Sequence, residues 1–173
     1  MPELAIEALQ ILFKEIPNLK LIFIGDGSCR AALESKVIQL GLQQAVRFMG
    51  SIHEEDRIAP SAVSASLLIH PGALGLSMFH AFGYGLPVIT FNHMSTQLPE
   101  VESLEPGING LVYEHGDVMK LATVCRSVLT DHALRKKLSN VALETVLSPG
   151  GRNLDGMVNG TMKAIRAVSG RNF

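Results

Sequence analysis

The stretch LLIHPGALGLSMFHAFGYGLPVIT, residues 67–90, decides the fold of this chain. An apolar run ends at a Pro-Gly pair, a glycine-punctuated apolar helix follows, and residues 86–90 form a second apolar run. Short continuous apolar runs are typical of strands buried on both faces of a parallel sheet, and parallel strands need a crossover such as a helix. The stretch therefore predicts a strand–helix–strand unit, with His70 ending the first strand and His80 in the helix.

The same alternation of strand and helix extends on both sides of this unit. Apolar runs predict strands at residues 19–24, 45–50, 65–70, 86–91 and 110–113. Periodicity predicts helices at residues 1–16, 28–41, 117–131, 132–147 and 154–168. This order predicts an α/β fold, a Rossmann-like doubly wound parallel sheet with a helical C-terminal region.

The predicted order begins with a helix, whereas a doubly wound domain normally begins with a strand. We therefore expect residues 1–173 to be a single domain that lacks its first strand. We also expect the natural polypeptide to continue upstream of Met1.

Composition excludes several classes of protein. The 173 residues are 47% hydrophobic and 18% charged, which suits one domain with a sizeable core. Fifteen Lys and Arg against 16 Asp and Glu give a net charge of -1, so neither nucleic acid nor an anionic membrane is an expected partner. Two cysteines, no secretion signal and no apolar run near 18 residues predict a cytoplasmic chain without an integral membrane segment.

A first candidate ligand turn follows the strand at residues 19–24. Gly25 and Gly27 allow a ligand to approach the backbone, and Ser28 is placed to cap the next helix. An ordinary tight turn explains the same residues. Arg30 stands where the dinucleotide fingerprint G-x-G-x-x-G needs its third glycine, so the residues do not support an NAD site.

A second candidate turn lies within residues 67–90. Gly72 and Gly75 keep side chains away, and the unpaired amides of a helix start near Gly75, Leu76 and Ser77 attract anions such as a diphosphate. His80 shares a face with this helix start and is placed to hydrogen-bond a sugar hydroxyl. A half-buried histidine that only packs is the equal alternative.

Other catalytic chemistry has little support. The histidines show no H-x-x-x-H spacing, the cysteines form no C-x-x-C pair, and no G-x-S-x-G or D-x-D sequence occurs, so no metal site is expected. Glu100, Glu102 and Glu105 are explained by a surface loop with solvated carboxylates. Glu100 keeps some interest because it follows the carboxyl end of a strand, where ligands of open α/β sheets bind.

Four segments in order carry a family resemblance: LKLIFIGDGSCRAALESKVIQLGLQQAVRFMGSI, LLIHPGALGLSMFHAFGYGLPVIT, LPEVESLEPGINGLVYEHGD and VMKLATVCRSVLTDHALRKKL. Over roughly residues 2–146 the chain resembles the C-terminal half of retaining, family-4-type (group 1) glycosyltransferases. The resemblance implies one half of a GT-B fold that binds a UDP- or GDP-sugar. It also implies a second, N-terminal domain that holds the acceptor.

The resemblance implies a role for each turn. It implies that residues 25–27 border the donor site, that residues 49–52 run near the base, and that the segment at Glu100 lies beside the phosphates or the sugar. The residues that it implies for the donor diphosphate are Gly75, Leu76 and Ser77.

The chain departs from the family at two glutamates. The family has a Glu, seven residues and a second Glu, which touch the transferred sugar and the ribose; here Gly72 and His80 occupy these positions. A neutral imidazole can still hydrogen-bond a ribose hydroxyl, whereas Gly72 offers only its backbone. The Arg and Lys that the family uses to neutralise the diphosphate are expected upstream of this sequence, so we expect the chain alone to bind the donor weakly and to be inactive.

The sequence thus predicts the donor domain of a hexosyltransferase for a glycan or lipid-linked acceptor in polysaccharide biosynthesis. No cofactor and no catalytic acid or base is assigned, and peripheral membrane association of the whole enzyme is left open. One alternative is a nucleotide-sugar epimerase or phosphorylase of the same fold. Another is a non-catalytic binding or scaffold module, which the two absent glutamates favour.

Overall fold

The computed structural model describes residues 1–148, which form an α/β domain. The strands in this part of the chain are β1 (Leu21–Phe23), β2 (Val46–Phe48), β3 (Leu68–Ile69), β4 (Val88–Phe91) and β5 (Gly110–Tyr113). The α-helices are α1 (Glu3–Phe13), α2 (Arg30–Gln39), α3 (Glu55–Ser64), α4 (Ser77–Gly83), α5 (Val118–Thr130) and α6 (His132–Leu147). Two short 3₁₀ helices, Met94–Thr96 and Pro99–Ser103, follow β4.

All strand pairs are parallel, as predicted. β1 pairs with β2, and β4 lies between β3 and β5. The strands form a two-stranded and a three-stranded sheet, because β1 and β3 are not hydrogen-bonded to each other. The alternation of strands and helices therefore predicts the parallel pairing correctly, but it does not predict that the strands divide into two sheets.

Helices cover both faces of the three-stranded sheet. Alternate side chains of β4 point to opposite faces: Ile89 and Phe91 pack against α1 and α5, whereas Val88 packs against α4 and part of α6. A third cluster packs α1 and α2 against β1 and β2. The buried apolar run at β4 is thus explained by helices on both faces, which is the doubly wound arrangement.

Helices α5 and α6 begin where the sequence predicts. Asp117 accepts a hydrogen bond from the Lys120 amide at 2.9 Å at the start of α5, and Asp131 accepts one from the Leu134 amide at 2.9 Å at the start of α6. Aspartate at the N-cap is a local signal, because it satisfies amides only three residues away. This explains why both starts are readable from the sequence.

Three expectations need correction or fall outside the described residues. The strand at residues 19–24 was expected to be buried, but Ile22 and Ile24 are 38% and 41% exposed, because they alternate with Leu21 and Phe23, whose face packs against α1 and α2. The sequence predicts helices between most of the strands but gives no bounds for one between β2 and β3, where α3 lies despite Pro60 in its interior. The predicted helix at residues 154–168 lies outside the described residues.

Candidate functional site

The candidate residues lie at the carboxyl ends of the strands, where ligands of open α/β sheets bind. The first turn, residues 25–27, follows β1, and the second turn, residues 70–76, follows β3. A chain of contacts joins this edge of the molecule. The first turn bonds to Gly50, two residues after β2. The start of α3 contacts α4 through His80, and the second turn bonds to Gln97 beyond β4.

The first turn is closed by its own residues. The Gly25 amide donates to the Gly50 carbonyl at 2.8 Å, and the Gly27 amide donates to Asp26 Oδ1 at 2.8 Å. Arg30 forms an ion pair with Asp26 at 3.2 Å across the turn. Gly25 has a φ of +128°, a conformation that favours glycine, whereas a Cβ on Gly27 would meet nothing within 4 Å.

The expected capping role of Ser28 is wrong. Helix α2 begins at Arg30 with Cys29 at its N-cap, and no side chain caps it by a hydrogen bond. Asp26 explains the difference, because its carboxylate accepts from Gly27 and Arg30 and so organises the turn instead.

The second turn has amides that are free to bind a ligand. Within residues 1–148 the backbone N–H groups of Gly75, Leu76 and Ser77 have no hydrogen-bond partner. Leu76 and Ser77 are exposed, and no side chain caps the start of α4. Because α4 has only seven residues, these amides themselves, more than a helix dipole, are suited to bind an anion.

Gln97 holds the second turn from behind. Its Oε1 accepts from the Leu74 amide at 2.6 Å, and its Nε2 donates to Thr90 Oγ1 and to the Phe91 carbonyl, each at 3.1 Å. Thr90 in turn donates to the His70 carbonyl at 2.9 Å. These bonds fix the turn to the end of β4. The sequence does not predict the role of Gln97, because no local pattern links it to Leu74, 23 residues away.

The second turn has a further contact within itself. His70 Nδ1 lies 3.1 Å from the Gly72 carbonyl, so this histidine bonds the backbone of the turn. Gly72 is half-buried, and a Cβ there would meet His70 Cε1 at 3.7 Å, an ordinary contact. Gly72 therefore contributes only backbone groups to the turn.

His80 is exposed and bonded to a carboxylate. Its Nε2 lies 3.0 Å from both carboxylate oxygens of Glu55, the first residue of α3, and the hydroxyl of Tyr84 donates to the same carboxylate. The side chains of His80 and Glu55 are 46% and 60% exposed, so His80 is not a buried packing residue. The contact with Glu55 was not predicted from the sequence, although the acidic run of residues 54–56 is a usual sign of a helix start.

The three glutamates after β4 differ in their environment. Glu102 and Glu105 are exposed, as expected for a surface loop. Glu100 is half-buried in the 3₁₀ helix Pro99–Ser103, and its Oε2 atom is buried without a hydrogen-bond partner among the described residues. The expectation of a solvated carboxylate is therefore wrong for Glu100, because Val101 and Leu104 pack into the core and hold this segment against the domain.

Two further properties concern metals and membranes. Within the described part of the chain, no three His, Cys, Asp or Glu side chains lie where they could hold a metal ion together. No helix in residues 1–148 is both long and apolar enough to cross a membrane.

Comparison with known protein families identifies the family of this chain. The profile of the family described as "Glycosyl transferases group 1" matches residues 1–145. The chain is 26% identical over 140 residues to the poly(glycerol-phosphate) alpha-glucosyltransferase of Bacillus subtilis, which covers 81% of this chain and 20% of that protein. It is 26% identical over 146 residues to the sulfoquinovosyl transferase SQD2 of Arabidopsis thaliana, with 82% of this chain and 27% of that protein covered. The chain thus spans about a quarter of the length of these relatives.

Solved structures share the fold. The C-terminal domain of the group 1 family protein LpcC from Francisella tularensis superposes with a TM-score of 0.72 at 23% identity, covering 87% of this chain and 79% of that one. Anabaena HepE in complex with UDP-glucose superposes with a TM-score of 0.75 at 20% identity, covering 94% and 44%. The prediction of a Rossmann-like GT-B half is confirmed.

Proposed function

This chain belongs to the group 1 glycosyltransferases, and we propose that it is the domain that binds the nucleotide-sugar donor, of the UDP or GDP type. The whole enzyme then transfers a hexose, with retention of configuration, to a glycan or lipid-linked acceptor. Proteins that are similar in fold are known in complex with UDP and with UDP-glucose, which supports a nucleotide-sugar as the ligand class.

The observation that carries this proposal is the set of free amides at the second turn. Gly75, Leu76 and Ser77 present N–H groups without partners at the carboxyl end of β3, and no side chain of Gly75 obstructs them. Hydrogen bonds to phosphate oxygens are charge-assisted and therefore stronger than those between neutral groups. Gln97 keeps the turn in place before the ligand arrives, so little ordering cost is left for binding.

The other predicted site residues have smaller parts in this proposal. Gly25 and Gly27 border the site and leave open space beside it. Their amides do not bind the ligand, because they already have hydrogen-bond partners. Gly72 offers only its backbone. Glu100 has a buried oxygen without a partner, which suits a hydroxyl or amide donor of the ligand at the end of β4.

Catalysis in such an enzyme depends on placement more than on a proton-transferring residue. The free amides hold the diphosphate while the bond to the sugar breaks, and hydrogen bonds to the departing group stabilise the charge that develops on it. The acceptor is held by a separate domain, which closes over the donor. We therefore expect the 173-residue chain to bind nucleotide without transferring sugar.

Backbone NMR of the 173-residue chain tests the diphosphate site. Titration with UDP and GDP should shift the amides of Gly75, Leu76 and Ser77. The amides of Gly41 and Leu42, which precede β2 at the opposite edge, are the internal control and should not move. No shift at residues 75–77 with millimolar UDP or GDP would overturn the diphosphate assignment.

The whole protein distinguishes the alternatives. Transfer of labelled sugar to an acceptor supports the glycosyltransferase, whereas epimerised or phosphate-dependent products support the epimerase or phosphorylase. Nucleotide binding without any turnover would support the scaffold module.

A further inference from the structure

Three polar side chains from two helices meet beside the second turn. Glu55 begins α3, His80 lies in α4, and Tyr84, four residues after His80, is the C-cap residue of α4. Nε2 of His80 and the hydroxyl of Tyr84 both bond to the carboxylate of Glu55. The rings of His80 and Tyr84 also contact each other, with centroids 5.5 Å apart. We call these three residues the Glu55 cluster.

The chemistry of the Glu55 cluster points to an acceptor site. An ionised carboxylate only accepts hydrogen bonds, so His80 carries its proton on Nε2 and both neighbours are donors. A carboxylate has about four lone-pair positions, and the two donors leave the others open. The Glu55 side chain is 60% exposed, and within residues 1–148 no Lys or Arg forms an ion pair with it. The open positions therefore face solvent.

The position of the cluster limits what it accepts. His80 lies three residues after Ser77, so it is about one helical turn beyond the free amides, and the carboxylate that it bonds is on the same side of the domain. A carboxylate repels phosphate, so a diphosphate on those amides does not bind Glu55. A neutral group with two adjacent hydroxyls, joined to the phosphate by a short linkage, suits the two carboxylate oxygens.

We propose that Glu55 accepts hydrogen bonds from the 2′- and 3′-hydroxyls of the ribose of a bound nucleoside diphosphate. His80 and Tyr84 are then positioning residues that orient the carboxylate, not contacts of the ribose. This inference rests on the proposed function, because it takes the diphosphate at the second turn as given. It gives the ribose a carboxylate from α3, although His80 occupies the position of the family's glutamate in α4.

A comparison of ribose and deoxyribose ligands tests the assignment. Calorimetry measures the dissociation constants of UDP and 2′-deoxy-UDP for the unaltered chain, Glu55→Gln and His80→Ala. We expect the unaltered chain to prefer UDP by about tenfold, since a hydrogen bond to a charged acceptor is worth that much or more. In Glu55→Gln this preference should fall to less than about twofold. In His80→Ala it should persist, with weaker binding of UDP, because the carboxylate remains but is less well oriented.

Asp56→Asn is the matched control. Asp56 is exposed and is the next residue of α3, and the substitution removes the same charge as Glu55→Gln. The Asp56→Asn variant should therefore prefer UDP over 2′-deoxy-UDP as strongly as the unaltered chain does. Tyr84→Phe provides a second, conservative variant, because it removes only the donor to Glu55. It should weaken UDP binding about threefold while leaving the preference for ribose in place.

The outcomes separate the two proposals. If UDP binds but Glu55→Gln keeps the full preference for ribose, the inference is wrong and the proposed function stands. If His80→Ala abolishes the preference and Glu55→Gln does not, His80 itself contacts the ribose, which also overturns the inference. If neither UDP nor its deoxy analogue binds the unaltered chain, and amides 75–77 also stay unshifted, both proposals fall. Circular dichroism checks that each of the four variants, Glu55→Gln, His80→Ala, Asp56→Asn and Tyr84→Phe, is folded.

Discussion

The two turns that follow β1 and β3 contain glycine at similar places, yet they present different surfaces to a ligand. In the first turn, the amides of Gly25 and Gly27 are bonded within the domain, and Asp26 and Arg30 close it. In the second turn, three successive amides are free and the supporting bonds come from behind, through Gln97. Glycine in a strand-to-helix turn therefore does not by itself leave amides free; the hydrogen-bond partners of those amides decide.

The largest expected effect is on the support of the second turn. Gln97→Ala removes three hydrogen bonds and leaves the amide of buried Leu74 without a partner, so we expect the free energy of unfolding to fall by about 2 kcal/mol. Urea denaturation measures this. Gln43→Ala, at an exposed glutamine, is the control and should change the value by less than about 0.5 kcal/mol. Equal stability of the two variants would show that the turn does not depend on Gln97.

A matched pair of glycine substitutions compares the turns directly. A Cβ on Gly75 lies beside the free amides and 3.0 Å from Leu98 Cδ1, the end of a flexible, exposed side chain that can move. We expect Gly75→Ala to weaken UDP binding about tenfold, because the methyl group hinders the close approach of phosphate. Gly27→Ala adds a methyl group in open space and should change the affinity less than about twofold. Similar losses in calorimetry would remove the distinction between the turns.

Opening the first turn should have a smaller effect. Arg30→Ala removes ion pairs with Asp26 and Glu34, but these groups are substantially exposed and screened by solvent, so we expect only a small fall in the midpoint of urea denaturation. The affinity of Arg30→Ala for UDP should equal that of the control variant Arg47→Ala, which removes an exposed arginine on β2. A clear loss of UDP affinity in Arg30→Ala alone would mean that the first turn contributes directly to binding.

The smallest effect is expected from chemical modification beside the first turn. Cys29 is exposed at the start of α2, whereas burial raises the pKa of the Cys125 thiol to about 12 and keeps it protonated. A thiol reagent at pH 8 should therefore modify one cysteine, and mass spectrometry should find no modification in Cys29→Ser. The modified chain should bind UDP within about twofold of the unmodified chain. A stronger loss would place the ligand nearer to the first turn.

Local signals explain where the sequence predicted the fold well. Asp117 and Asp131 cap helices through amides three residues away, and the run at β4 is apolar because helices cover both of its faces. The bounds of helix α3 were not predicted because Pro60 normally ends a helix, and this short helix has no buried residue to reveal a periodic face.

The candidate site was only partly predictable for the same reason. Glycines 72 and 75 and the helix after them mark the second turn in the sequence itself. Glu55 lies 25 residues before His80, and Gln97 lies 23 residues after Leu74, so neither pair shares a helical or strand period. Such pairs are visible only when the strand ends and the helices around them are in place.

The sequence by itself determined the alternation of strands and helices, the parallel pairing, the two glycine turns and the resemblance to group 1 glycosyltransferases. These follow from periodicity, caps and turn residues, which act over a few positions along the chain. Only the tertiary structure decided which amides have partners, that Gln97 supports one turn, and that Glu55 meets His80. Hydrogen bonds between distant segments depend on how the strands and helices pack, and no short-range pattern records that packing.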